Sequence, residues 1–291
     1  MKQVAMALTL VALVVSTLAC GYTVNIEPSI EVGTMQNYSE EIPLDGTDEA
    51  EVVINFGAGE LDISAGEAET LLAGDFRTNV EEWAPDVSWR NGTLRLEQGD
   101  EGSMDGIVEA GAVNEWDLEF SPEVELDMEL RVGASQSTLD LSGLALTRFV
   151  LETGASEMSI RFNEPNPAAM SSLEVAAGAA SLIVDEIGNA GPETVTVRGG
   201  AGNLILDLTG DWPGSSRIQI EAGIGALTLR VPQDIGVRIE VTEGLGSVQS
   251  DSGFSRSGGA YTNSAYGETE DELIIEVTVG VGSVNLELIG E

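Results

Sequence analysis

The chain has 291 residues, of which 50 are acidic and 12 basic, giving a formal net charge of −38 with no histidine. Such a polyanion repels nucleic acid, whose capture rests on Lys and Arg at the phosphates, and anionic headgroups likewise; the charge serves solubility and leaves cations, basic partners or salty solvent compatible. Without histidine, and with the sole lysine, Lys2, in a segment expected to be removed, a Ser-His-Asp triad, a Ser-Lys dyad, a Schiff base and a His-ligated zinc site are all excluded.

Lys2 precedes an apolar run from Val4 to Leu18, too short to span a bilayer and shaped like a secretory signal. Cys20, the only cysteine, follows Thr17-Leu18-Ala19. This arrangement resembles a bacterial lipobox, except that leucine is usual where Thr17 stands. A lone thiol has no internal disulfide partner in an oxidising compartment, so lipidation of Cys20 is the expected fate, and two acyl chains give stable anchoring where one does not. The expected organisation is a lipoprotein signal peptide over 1–19, a tether over 20–37, an N-terminal region over 38–113 and repeats over 114–291. No cell-wall sorting signal or C-terminal span is expected.

From Glu51 onward a short motif recurs eight times, with first glycines at Gly57, Gly133, Gly154, Gly178, Gly200, Gly223, Gly244 and Gly280 and a small residue two places later. Three and five residues before each glycine every position is apolar, as with Val197 and Val195 before Gly200. Four and six residues after it only Ser137 and Ser250 depart from that rule; Leu204 and Leu206 follow it. Period two on both sides predicts two strands with one buried face each, joined by a turn in which glycine reaches positive φ and lets neighbouring backbones approach. Acids such as Glu129, Asp140, Asp185 and Asp207 alternate with them and face water.

Between Gly133 and Gly244 the steps are 21, 24, 22, 23 and 21 residues, a spacing of repeat architectures. One step is long enough to encircle a small core once. The reading is all-β: a single elongated β-solenoid, parallel β-helix-like, with about 22 residues per coil. The alternative, a β-sandwich of hairpins, explains the turns but not the constant length.

The long steps mark surface features. Between Gly57 and Gly133 lie a hairpin signal at Asn91-Gly92, flanked by Val87 to Trp89 and Leu94 to Leu96, and a loose stretch from Gly99 to Val113. Asp251 to Asp271 reads as an exposed loop, and Asn163 to Pro167 as a shorter one. The strand from Leu273 to Leu288, last in the sequence, is expected at an open edge able to pair with another chain.

The glycine pairs do not make a dinucleotide fingerprint, which needs a third glycine and a following helix, nor a calcium nonapeptide, where aspartate should replace Asn203. Ca²⁺ could use the carboxylates at Asp251 or Glu268 to Glu272. No carboxylate pair stands out for glycosidase chemistry. Among aromatics, Trp83, Trp89, Trp116 and Trp212 read as packing residues, and Tyr261 and Tyr266 in the long loop as the best binding candidates.

Val32-Gly33, Gly57-Ala58-Gly59-Glu60-Leu61, the segment Phe76 to Pro85 (Phe-Arg-Thr-Asn-Val-Glu-Glu-Trp-Ala-Pro) and Gly92 to Gln98 resemble the N-terminal domain of the bacterial toast-rack proteins. Trp116-Asp117-Leu118 and Leu139 to Leu144 look like its continuation. The other Gly-x-Gly coils are similar to adhesin-type repeats and to the cell-wall-active antibiotic response proteins. The resemblance covers about residues 30 to 291. It implies an envelope β-solenoid without established enzymatic activity and carries over no catalytic residues. The function expected is that of a non-enzymatic protein, lipid-anchored at Cys20 on the outer face of the membrane, whose acidic solenoid serves adhesion or holds an envelope protein or glycan. Alternatives are an accessory in cell-wall stress sensing and a polysaccharide-binding protein; no cofactor is expected.

Overall fold

The computed structural model describes residues 31–99 and 110–290. Along them run β1 (Gln36–Pro43), β2 (Glu49–Ala65), β3 (Thr70–Thr78), β4 (Pro85–Arg90), β5 (Thr93–Gln98), β6 (Asn114–Phe120), β7 (Glu125–Asp140) and β8 (Leu146–Arg161). These are followed by β9 (Ser172–Asp185), a helical turn α1 (Ile187–Ala190), β10 (Thr194–Asp207), β11 (Ser216–Pro232), β12 (Gly236–Ser250), β13 (Ser255–Ser257), β14 (Ala260–Thr262) and β15 (Glu272–Ile289). The strands form one mixed sheet in the order β1-β3-β6-β2-β7-β8-β9-β10-β11-β15-β12-β14-β13, with β4 and β5 attached at β2. The expected all-β class is what the chain adopts.

The eight glycine motifs sit inside eight long strands, β2, β7 to β12 and β15, each continuous through its motif. Neighbours in this set pair in parallel and in register, Val195 beside Ile218 and Leu204 beside Leu227 for example. Parallel pairing overturns the sandwich of hairpins, which would be antiparallel. The turn expected between two strands is instead a bend within one. The proof lies in parity: Val197 and Leu204 are seven positions apart and would face opposite sides of a straight strand, yet both lie in one buried cluster with Val195 and Leu206. Connection lengths agree. Asp140 ends β7 and Leu146 starts β8; six chain steps reach at most about 20 Å, whereas a straight strand of this length would separate its ends by about 50 Å.

Backbone spacing explains the invariant first glycine. A Cβ on Gly154 would stand 2.8 Å from the carbonyl oxygen of Gly133, one on Gly178 2.8 Å from that of Gly154, and the clash repeats up the column to Gly244 against Gly280. Positive φ, expected there, falls on the second glycine instead, at Gly202 (137°) and Gly225 (144°). The two polar exceptions also find reasons. Ser137 is buried and donates its hydroxyl to Ser135 Oγ at 2.9 Å, while Ser250 is exposed near the end of β12.

Sequence order fails at the far end of the stack. β15 lies between β11 and β12, paired in parallel with both, so the last strand in the sequence is interior and β12 is the outer one. The physical difference is in the second arm. β15 offers Val284 and Leu286, both buried, whereas β12 offers half-buried Val248 and exposed Ser250. The fully apolar strand takes the two-sided position and the more polar one the edge.

The near end is closed by the chain itself. Along the outer side of β2, β5 pairs with Glu51–Asn55 and β6 with Glu60–Ala65. At the bend between them, Gln98 Oε1 accepts from the Gly57 and Ala58 amides at 2.7 and 3.1 Å, and Asn114 Nδ2 donates to the Ala58 carbonyl at 2.8 Å. Trp116 packs edge-on against Phe56 and Phe76, both at 5.1 Å between centroids. The expected hairpin is present, with Asn91 at φ 53° and Gly92 at 83°, the left-handed pair that a two-residue turn needs.

Candidate functional site

Because each bent strand lacks a side chain at its first glycine, the stack carries a groove there. It encloses about 1090 Å³ and runs from Gly57 on β2 to Gly280 on β15. Arg131, Glu152, Arg198 and Glu221 line it; Arg131 pairs with Glu152 at 3.7 Å and Arg198 with Glu221 at 3.8 Å. Glycine backbone and the alanines Ala176, Ala177 and Ala222 make up much of the rest of its wall, with the hydroxyls of Thr153 and Thr278 among them.

A second hollow, about 820 Å³, lies among the connections that follow β8, β9 and β10, between Pro165, Met170, Trp212 and Pro213. Its amide and indole side chains are committed to structure. Asn166 accepts from the Leu146 amide at 3.0 Å and donates to the Leu146 and Ala190 carbonyls at 2.8 and 3.2 Å. Asn189 donates to the Phe162 carbonyl at 2.7 Å and accepts from the Asp211 amide at 2.9 Å. Trp212 Nε1 donates to the Leu208 carbonyl at 2.7 Å. The expected loop at Asn163 to Pro167 is thus stitched to both neighbouring connections.

A third, smaller hollow is acidic. Asp117 on β6 stands opposite Asp62 on β2 and Asp75 on β3. Partial desolvation first, then the carboxylates of Asp62 and Asp75, push Asp117 above the usual carboxylate range. Ser39 donates to Asp75 at 2.5 Å. Desolvation also raises Asp185, helped by Asp207 and opposed by Arg230 and Arg161.

The sequence-selected residues are scattered relative to these features. Cys20 lies outside the described residues, as does most of the loose stretch after Gly99. Tyr261 is buried, 4% exposed, on β14 with the Arg256 guanidinium 5.1 Å over its ring, so its face is covered by the chain's own cation. Tyr266 is half-buried. The segment from Asp251 to Asp271 is more ordered than a loop: β13 and β14 form a hairpin through Gly258-Gly259, and β14 pairs antiparallel with Arg238–Glu240. Asn263 anchors it, accepting from the Val237 amide at 2.9 Å and donating to the Ile235 carbonyl at 2.6 Å. Two of the carboxylates considered for calcium serve the backbone: Asp251 accepts from the Leu288 amide at 2.9 Å and Glu272 from that of Gly267 at 3.0 Å. Among the described residues no three Asp, Glu, His or Cys side chains converge to hold a metal ion. Trp83 and Trp116 are core.

The architecture defines a β-protein of stacked, glycine-bent parallel strands. Residues 31–185, just over half of the chain, match the family model described as the N-terminal domain of toast_rack, DUF2154, and the chain belongs to that family. A candidate cell adhesion protein from Clostridium sporogenes is 23% identical with a TM-score of 0.49, covering 88% of this chain and 100% of its own. A candidate adhesin from Bacteroides fragilis (10% identity, TM-score 0.40) and a candidate lipid binding protein from Parabacteroides distasonis (11%, 0.38) each cover 87% of this chain and 97% of their own. No curated protein matches. Among the described residues no helix is long and apolar enough to cross a membrane.

Proposed function

We propose that the chain is a non-enzymatic lipoprotein of the bacterial envelope, anchored through Cys20 on the outer face of the membrane, whose β-solenoid presents a rigid acidic surface for adhesion or for holding a partner. The observation that carries this reading is the sequence Thr17-Leu18-Ala19-Cys20 after the apolar run Val4 to Leu18, a leader whose end offers a thiol for diacylation. The solenoid reading is supported by parallel neighbours joined through short connections, with each strand bent around one core. Rigidity follows from that construction, since an interior strand can move only by breaking a ladder on each side. The non-enzymatic reading is supported by the absence of histidine and a single lysine inside the leader, and by the largest described groove holding its charges in the pairs Arg131–Glu152 and Arg198–Glu221.

The test is metabolic labelling with palmitate in a host that processes lipoproteins. The chain takes up label and sediments with membranes; Cys20→Ala takes up none and appears in the soluble envelope fraction. Unlabelled wild-type chain, or a Cys20→Ala chain that stays with membranes, overturns the anchor.

A further inference from the structure

The outer face of the second arms changes character along the stack. On the near half it is acidic: Asp75, Asp117 and Asp62 stand side by side on β3, β6 and β2, as do Glu115 and Glu60. Glu157 on β8 is the last acid of the second of these rows. On the far half the charge is gone. On β9, β10, β11, β15 and β12 the first, third and fifth residues after the first glycine stand in register from strand to strand, and none of them is acidic or basic. Asp185, Asp207 and Glu287 border this face, two places further along their strands, without entering it.

Two kinds of side chain fill it instead. The first is aliphatic: Ile224, Val281 and Leu245, side by side one place after the first glycine, are 62%, 44% and 75% exposed. The second carries amides and hydroxyls. Ser181, Asn203, Ser283 and Ser247 stand two places further along, and Thr228 and Gln249 two places beyond that; among the described residues these side chains have no hydrogen-bond partner. Asn166, Asn189 and Asn263 differ, since their amides are fastened to backbone carbonyls. Both kinds run along the stack in parallel rows, with one strand about every 4.8 Å.

We propose that this face binds a neutral polysaccharide lying along the stack. Charge selects the ligand. An anionic polymer is repelled by a chain of net charge −38, and a cationic one is drawn to Asp62, Asp75 and Asp117 at the other half. Protein contacts are dominated by Trp, Tyr and Arg anchors, and these positions hold none. What remains is an uncharged chain rich in hydroxyls, which exchange hydrogen bonds with amides and hydroxyls that both donate and accept. Its apolar carbon-hydrogen faces rest on Ile224, Val281 and Leu245. Without an aromatic ring for stacking, contact is spread over many weak points, so affinity grows with polymer length. The proposal rests on the adhesion reading and names the ligand class for it; the anchor at Cys20 does not enter.

The experiment measures binding of the full chain carrying Cys20→Ala, in mild detergent, to suspended cellulose, cross-linked dextran, agarose and mannan beads, with alginate beads as the anionic comparison. Binding to one or more of the neutral polymers is expected, none to alginate, and molar salt leaves it unchanged because no charge takes part. Soluble polymer competes better than its monosaccharide. Asn203→Asp with Ser283→Asp, both at exposed positions, raises the dissociation constant about tenfold or more with little change in Tm. Thr196→Asp with Gln219→Asp, the same two charges on the first arms of β10 and β11, leaves it as it was. No binding to any neutral polymer overturns the proposal, and so does binding indifferent to the Asn203 and Ser283 charges. Light scattering covers the other occupant: a dimer dissolved by those charges, without polysaccharide binding, would give the face to a second copy and overturn the proposal. Latex beads coated with the chain and mixed with bacterial cells keep the adhesion reading separate. If they hold cells while no polysaccharide binds, that reading stands and the neutral ligand falls.

Discussion

Arg230 on β11 lies opposite Glu287 on β15, with Nε 3.2 Å from the carboxylate, although 57 positions separate them in sequence. Asp207 on β10 faces the same guanidinium from the other side at 3.8 Å. The pair reports the crossing that sequence order hides: β15 supports β11 and β12 at once. A chain ending before Glu272 therefore loses two ladders, and β11 loses its neighbour. Such a truncation is expected to lack cooperative thermal unfolding in β12 and β11, seen as early hydrogen exchange in both. Were β12 stacked directly on β11, the same truncation would leave both protected.

Removing the arginine itself is expected to do little. Arg230 is partly exposed, as are its partners, and exposed pairs contribute about 0–1 kcal/mol. Arg230→Met should shift the denaturant midpoint within that range and more at low salt than at high, as Coulomb screening requires.

The glycine column offers a sharper contrast. Gly154→Ala drives a methyl to within 2.8 Å of the Gly133 carbonyl oxygen, with backbone on both sides to resist it, and overpacking of this kind costs about 1–3 kcal/mol. Gly214→Ala meets nothing within 4 Å and should stay within about 0.5 kcal/mol of wild type. Urea midpoints of the two variants with unchanged m-values check this. Equal effects would mean that the column does not require glycine.

What could be read from sequence and what could not divides along one physical line. Positions such as Val195, Val197, Leu204 and Leu206 were legible because burial imposes its period on the chain locally, and every repeat states it again. The bend was legible in principle, since the odd separation of Val197 and Leu204 forbids one straight strand with both buried, but the glycine invited a turn instead. Strand order was not legible from spacing; the one local signal was Ser250, polar at the sixth place after the glycine, where every other copy is apolar. The amide contacts of Gln98, Asn166 and Asn263 join residues 20 to 41 positions apart, and no local pattern announces them. Tyr261 shows the converse error, because a tyrosine in a Ser- and Gly-rich segment reads as exposed until the hairpin around it is known.

Asn263 holds the turn before β12 and the hairpin after it with one side chain, donating to the Ile235 carbonyl and accepting from the Val237 and Tyr266 amides, the latter at 3.1 Å. It is 5% exposed. Asn263→Ala leaves buried donors and acceptors without partners, at about 1–3 kcal/mol for each unsatisfied group. The expected result is a loss of about 2 kcal/mol or more in chemical denaturation, with faster exchange at Val237 and at Ala260–Thr262. Asn263→Asp keeps the acceptor but not the donor and should fall between.

Acid should reveal the carboxylate row on β3, β6 and β2. Asp117 is raised by partial desolvation and by Asp62 and Asp75, so in the window between the ordinary aspartate value and its raised one the folded chain holds a proton that the unfolded chain has released. Stability attached to this group is therefore greatest below the window and falls as pH rises through it. Asp117→Asn removes that slope and leaves the variant slightly more stable than wild type at neutral pH, by less than about 1 kcal/mol for groups so accessible to water. Paired Tm profiles from acid to neutral pH, in low and high salt, decide the matter: the two curves separate with rising pH and approach each other as salt screens the three carboxylates. Parallel curves at both ionic strengths would show that the row costs the fold nothing.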